Sequence, residues 1–278
     1  MRQRHLYTWA VIFLSALSLS AASESSGTKL ISVSRANLCV TEGAIEELPG
    51  ERLSVSVSKM RAYLIAFTPQ LVEAHFTYLG PTENEARLGS GELRRQFGLK
   101  LRSQDACNLV YAMWRIETES KLVVSVKSNP GQHTSAQCGN RGYTNLKPRR
   151  STPVPALRSG DTHTLRAEMN GAEMKVFADN SLVWEGSVAP DVLDFDGPVG
   201  MRSDNARLQI ELRTGQPPKA QSGHSPGCRA GGEESVVDGG QVHRGVQAVV
   251  GDLVSVGVRD AGDEAAGAKG VQVIGHRS

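Results

Sequence analysis

The stretch at residues 163–212, HTLRAEMNGAEMKVFADNSLVWEGSVAPDVLDFDGPVGMRSDNARLQIEL, constrains the fold more than any other part of the chain. Apolar and polar residues alternate along it, which is the period of strands with one face against a core. Asn170-Gly171 and Asp179-Asn180 break the alternation with residues that tolerate the positive φ of tight hairpin turns. Gly197-Pro198 and Ser203-Asp204-Asn205 punctuate two further strands. The inward set is then Leu165, Ala167 and Met169, answered by Met174, Val176 and Ala178, then by Leu182 and Trp184. Val199, Met201, Leu208 and Ile210 finish the pattern.

The same reading extends backward. Residues 30–33 form one strand, followed by an acidic loop to Glu47. Strands are expected at 53–58, 60–67 and 72–78, with a polar loop over 82–92. Residues 96–102 put Phe97, Leu99 and Leu101 on one face and Gln96, Lys100 and Arg102 on the other. Residues 108–117 are apolar on both sides, with Val110, Ala112, Trp114 and Ile116 opposed to Leu109, Tyr111, Met113 and Arg115. Such a strand sits mid-sheet under cover or lines a groove. Residues 122–127 return as a hairpin, with Val123, Ser125 and Lys127 outward. Residues 129–161 are a long irregular loop rich in Pro, Gly and Asn, and loops of that length are often functional. The expected fold is all-β: an antiparallel jelly-roll sandwich of two sheets.

Length and charge bound the rest. A chain of 278 residues buries a substantial core, and a formal net charge of +2 shows no concentrated basic balance of the kind nucleic-acid binders carry. Arg2, Arg4 and His5, an apolar run at 7–19 and then Ser20-Ala21-Ala22 read as a signal peptide over residues 1–22. The run is short for a membrane span, so an exported or periplasmic product with no span after cleavage is expected. Cys39, Cys107, Cys138 and Cys228 allow three pairings. Cys107 and Cys138 bracket a two-strand unit, which makes them the candidate bridge in an oxidising compartment. Cys39 and Cys228 are left open. Beyond Arg213 the chain has no Phe, Tyr, Trp or Met, so residues 214–278 are expected to be a disordered tail. The domain scheme is 1–22 signal peptide, 23–52 spacer and first strand, 53–213 sandwich and 214–278 tail.

The order LRAEMNGAEMKVFADNSLVWEG, a loop, then GPVGMRSDNARLQIEL resembles the concanavalin A-like lectin/glucanase superfamily, closest to its laminin-G-like and keto-disaccharide-hydrolase-like domains. The matching elements are the turn at Val176-Phe177-Ala178-Asp179-Asn180, with Asn180 where that turn usually has Gly, and the strands at 197–203 and 206–212. The resemblance implies two antiparallel sheets, one of them concave, and does not by itself license an activity.

Glycoside hydrolysis requires two carboxylates facing each other across a cleft. The E-x-D-x-E strand of the superfamily's glucanases is missing; Glu117 and Glu119 share a side, and Glu119 falls at a turn. Asp191, Asp194 and Asp196 in one loop are the candidate ligands for Ca²⁺, which takes several oxygens; no other cofactor is expected. His133 and His163 have no nucleophile elbow beside them, and His163 is expected to make a structural hydrogen bond. A sugar offers apolar C–H faces and a rim of hydroxyls, so its sites combine flat aromatic rings with directed polar groups. The candidate ligand-binding set is Gln96, Lys100, Arg102, Tyr111, Arg115 and Lys127 on three adjacent strands, closed over by Arg141 and Tyr143. The expected function is carbohydrate or surface-glycan binding without catalysis. A sugar hydrolase and a protein-binding adhesion module are the alternatives.

Overall fold

The computed structural model describes residues 29–65, 69–116, 119–215 and 228. Among them sixteen strands form two sheets in which every pairing is antiparallel. The first sheet runs β11 (Arg150–Ser151), β14 (Ser181–Ser187), β13 (Glu173–Ala178), β12 (Thr162–Asn170), β6 (Leu71–Pro81), β16 (Ala206–Gly215), β4 (Arg52–Val55), β3 (Glu46–Leu48), with β1 (Leu30–Ser32) also on β16. The second runs β10 (Tyr143–Asn145), β9 (Lys121–Lys127), β8 (Leu109–Arg115), β7 (Gln96–Leu101), β15 (Gly200–Asp204), β5 (Lys59–Leu64), β2 (Leu38–Glu42). The all-β sandwich expected from the alternation is the fold observed.

One core lies between the sheets. The ring of Phe76 on β6 sits 4.8 Å from that of Phe97 on β7 and meets Trp114 on β8 edge-on at 5.8 Å. Such pairs add to the area term that drives the layers together. Trp114 and Trp184 are both buried, as their inward parity requires. Among the described residues no helix is long and apolar enough to cross a membrane.

The hairpin from β13 to β14 shows why its turn residues are what they are. Asp179 and Asn180 both take positive φ, 49° and 64°, the backbone of a turn whose twist matches its strands. The Asp179 carboxylate accepts from Thr164 N at 2.8 Å and lies 2.6 Å from His163 Nδ1. His163 is thus a structural partner, and its ring packs 5.4 Å from that of Trp114.

Three expectations are corrected. The acidic loop before Glu47 contains β2 and β3, so residues ahead of Leu53 contribute strands to both sheets. Leu182 pairs with Phe177 and is only half-buried, while Val183 is buried. The cause is a bulge after Val176, which shifts the register and with it the face each side chain takes. The loop at 129–161 carries β10, β11 and a one-turn helix α1 (Ser135–Cys138). Cys107 bonds Cys138 as expected, and Cys39 bonds Cys228. The expected signal peptide, and the expected tail apart from its first two residues and Cys228, lie outside the described residues.

Candidate functional site

The outer face of the second sheet is set by what its strands commit inward. Phe97, Leu99 and Leu101 of β7, Val110, Ala112 and Trp114 of β8, and Met60, Ala62 and Leu64 of β5 enter the core. Strand parity therefore sends Gln96, Gly98 and Lys100, Tyr111 and Met113, and Arg61 and Tyr63 to the other side. β15 lies between β5 and β7 with Met201 in the core, so Gly200, Arg202 and Asp204 also face out. The register places Asp204 beside Gln96, Arg202 beside Arg61, Gly200 between Tyr63 and Lys100, and Lys100 beside Tyr111.

Asp204 organises this face. Its fully buried carboxylate accepts from Arg61 Nη2 at 2.6 Å, Gln96 Nε2 at 2.6 Å and Arg202 Nε at 2.8 Å. Burial alone would raise its pKa, but the Arg202 and Arg61 guanidiniums and the Gln96 amide outweigh it and hold the carboxyl below the usual range. Burial likewise works against the charge on Arg202, and Asp204 more than offsets it, so Arg202 stays charged. Arg202 then projects across the sheet, its guanidinium 5.2 Å from the Tyr111 ring and its Nη1 donating to the Tyr143 hydroxyl at 3.3 Å. The Tyr111 and Tyr143 rings stack with centroids 6.1 Å apart. Burial pushes the Tyr111 hydroxyl up to about 12, and Tyr143 remains 39% exposed.

Two loops wall the face. Asn205, at φ 53°, accepts from Ala86 N at 2.8 Å and donates to Ala86 O and Arg94 O at 2.8 and 3.0 Å, fastening the loop after β6. The opposite wall is the segment from Asn129 to Asn145, bonded through Cys138 to Cys107. Lys127 Nζ reinforces it by donating to Ala106 O at 3.1 Å and Gly139 O at 2.9 Å. Between the walls is a cleft of about 250 Å³ with Gln96, Tyr111, Met113, Arg115, Tyr143 and Arg202 in its lining. That is below the roughly 300–1,000 Å³ of pockets enclosing drug-sized ligands, so it suits a single ring or a chain end lying partly in the open. A shallow hollow at Arg158, Asp161 and His163 has no Phe, Tyr or Trp in its lining.

Of the expected binding residues, Gln96, Tyr111, Arg115 and Tyr143 meet in this cleft. Lys100 lies beside Tyr111 on the same face, buried. Lys127 is committed to holding the wall. Arg102 is carried elsewhere: its φ of 48° ends β7, and its Nη1 donates to Leu193 O and Phe195 O at 2.8 and 2.7 Å. Arg141 turns back on α1, donating to Gln137 O and Cys138 O. Asp191, Asp194 and Asp196 are exposed on and beside a 3-10 turn. Among the described residues no three His, Cys, Asp or Glu side chains converge so as to hold a metal ion. Arg202 and Asp204 are functional candidates that sequence reasoning passed over. Their outward parity was available from inward Met201; their neighbours were not, because β15 pairs with strands far away in the chain.

No family model matches this sequence, and no curated protein matches it. Among solved structures, the carbohydrate binding module CBM66 from Bacillus subtilis is similar over 63% of this chain and 91% of its own, at 16% identity and a TM-score of 0.43. LamAcat from Zobellia galactanivorans is similar over 61% and 79%, at 14% identity and a TM-score of 0.37. The galectin LEC-6 of Caenorhabditis elegans is similar over 66% and 99%, at 11% identity and a TM-score of 0.34.

Proposed function

We propose that this chain is an exported glycan-binding module whose site is the cleft on the outer face of the second sheet. The observation that carries the reading is the exposed Tyr143 ring stacked on Tyr111, with Arg202 and Gln96 beside them. An aromatic ring takes the C–H face of a sugar, and the guanidinium and amide address its hydroxyls. Two disulfides fit an oxidising compartment.

Binding without bond cleavage is the better-supported form of this reading. Hydrolysis would need two free carboxylates roughly 5–9.5 Å apart on either side of the scissile bond. Among the described residues Glu92 is the carboxylate lining the cleft, and it is paired with Arg94. Asp204 already accepts from three donors.

A panel of polysaccharides immobilised for binding assays tests the proposal. The purified chain should retain at least one of them, and Tyr143→Ala should weaken that binding about tenfold or more, the range of a lost aromatic contact. Absence of binding across the panel, or an unchanged Kd in Tyr143→Ala, would sink it. Release of reducing sugar would move the chain to the hydrolase reading.

A further inference from the structure

Resting on the glycan-binding reading of this cleft, we infer that the sugar it takes is acidic, its carboxylate or sulfate group seated against Lys100 and Arg202. The inference comes from a charge imbalance on the sheet face. Arg61, Lys100 and Arg202 are neighbours in register around Gly200, and the one buried carboxylate among them is Asp204. Asp204 is taken by Arg61 and Arg202, and Arg61 also lies 3.8 Å from the half-exposed Glu42. Among the described residues no carboxylate pairs with Lys100. It is 5% exposed, its Nζ lies 5.8 Å from the centre of the Tyr63 ring, and no described residue accepts a hydrogen bond from it.

A largely buried lysine whose amine finds no protein acceptor is costly, and chains rarely keep one where Met or Leu would pack. Arg202 shows the same incompleteness: Nε serves Asp204 and Nη1 serves Tyr143, leaving Nη2 without an acceptor among the described residues. An anionic oxygen between these two groups would complete both, through charge-assisted bonds of the strong kind. The rest of the sugar then lies toward Tyr143.

The arrangement also makes binding depend on pH. Burial, then repulsion from Arg61 and Arg202, lowers the Lys100 pKa to about 7. The groups facing it are Arg61 and Tyr63 of β5, Arg202 and Asp204 of β15 and Tyr111 of β8, with Glu42 of β2 beyond Arg61. An anion favours the protonated amine, so binding takes up a proton and weakens as pH rises through 7.

Matched polymers provide the test: polygalacturonate against its methyl ester, and dextran sulfate against dextran, each titrated into the full chain at about pH 6 and pH 8.5. At least one acidic polymer should bind tenfold or more tightly than its neutral counterpart, and more tightly at the lower pH. The pair that discriminates tells carboxylate from sulfate. Lys100→Met should abolish the preference for acidic over neutral polymer, and its pH dependence, without lowering the melting temperature; should that variant fail to fold, the wild-type pH profile decides. Equal binding of acidic and neutral polymers, a preference that survives Lys100→Met, a flat pH profile, or inorganic phosphate binding as tightly as the polymers would overturn the inference. If neutral polymers bind without any acidic preference, this inference falls and the glycan-binding reading stands. If no polymer binds, both fall.

Discussion

Lys100 is the residue where folding and binding compete. Its pKa of about 7 in the folded chain stands against an ordinary value of 10.5. Between those values the unfolded chain holds the proton and the folded chain does not, so stability must rise with pH from about 7 to about 10. A tenfold change in proton affinity between the two states is worth about 1.4 kcal/mol, making this a several-kcal/mol effect in order of magnitude. Lys127, also lowered by burial, adds to the same slope, and Tyr111, raised to about 12, opposes it only above pH 10. Urea melts at pH 7 and pH 9.5 should therefore show greater stability at the higher pH. In Lys100→Met most of the slope should vanish and the pH 7 midpoint should rise; an unchanged slope would mean that Lys100 is not held neutral. The face Lys100 occupies was legible in the sequence from Phe97 and Leu99 beside it. Its lack of a partner was not, because that depends on Asp204 being used up by two arginines from other parts of the sheet.

At the scale of elements, the strands with regular alternation and explicit turn residues were readable one by one. β12 to β14 follow the Asn170-Gly171 and Asp179-Asn180 signals. β2 and β3 were not, since LCVTE and EEL are short, and Glu46 and Glu47 stay exposed on an edge strand. Edge strands need no alternation to hold their place. The wall at 129–145 depends on covalent and polar ties rather than on its own core. The Cys107–Cys138 bridge closes a separation of 31 residues, which in the chain-entropy account stabilises by about 3–4 kcal/mol. A Cys107→Ala/Cys138→Ala chain should lose about that much in a denaturant melt and bind glycan more weakly. If both quantities match wild type, the wall is held without the bridge, by the pairing of β10 with β9 and by hydrogen bonds such as those from Lys127 and Asn108.

Across the whole molecule, the Cys39–Cys228 bridge spans 189 residues and reaches past the change in composition at 214. The same account assigns a loop of that length about 5 kcal/mol, so Cys39→Ala/Cys228→Ala should lower the unfolding midpoint more than the Cys107→Ala/Cys138→Ala pair does. The opposite ranking, measured on the full chains, would contradict this. What the sequence by itself determined is local: the two-residue period, the turn positions and the face each side chain takes all follow from backbone geometry within a few residues. What only the tertiary structure decided is who stands beside whom. β15 pairs with β5 and β7, putting Arg61 on Asp204 across 143 residues of chain and gathering the cleft floor from four strands. That neighbourhood arises from burying two sheets against each other, a requirement of the chain as a whole that no short segment can express.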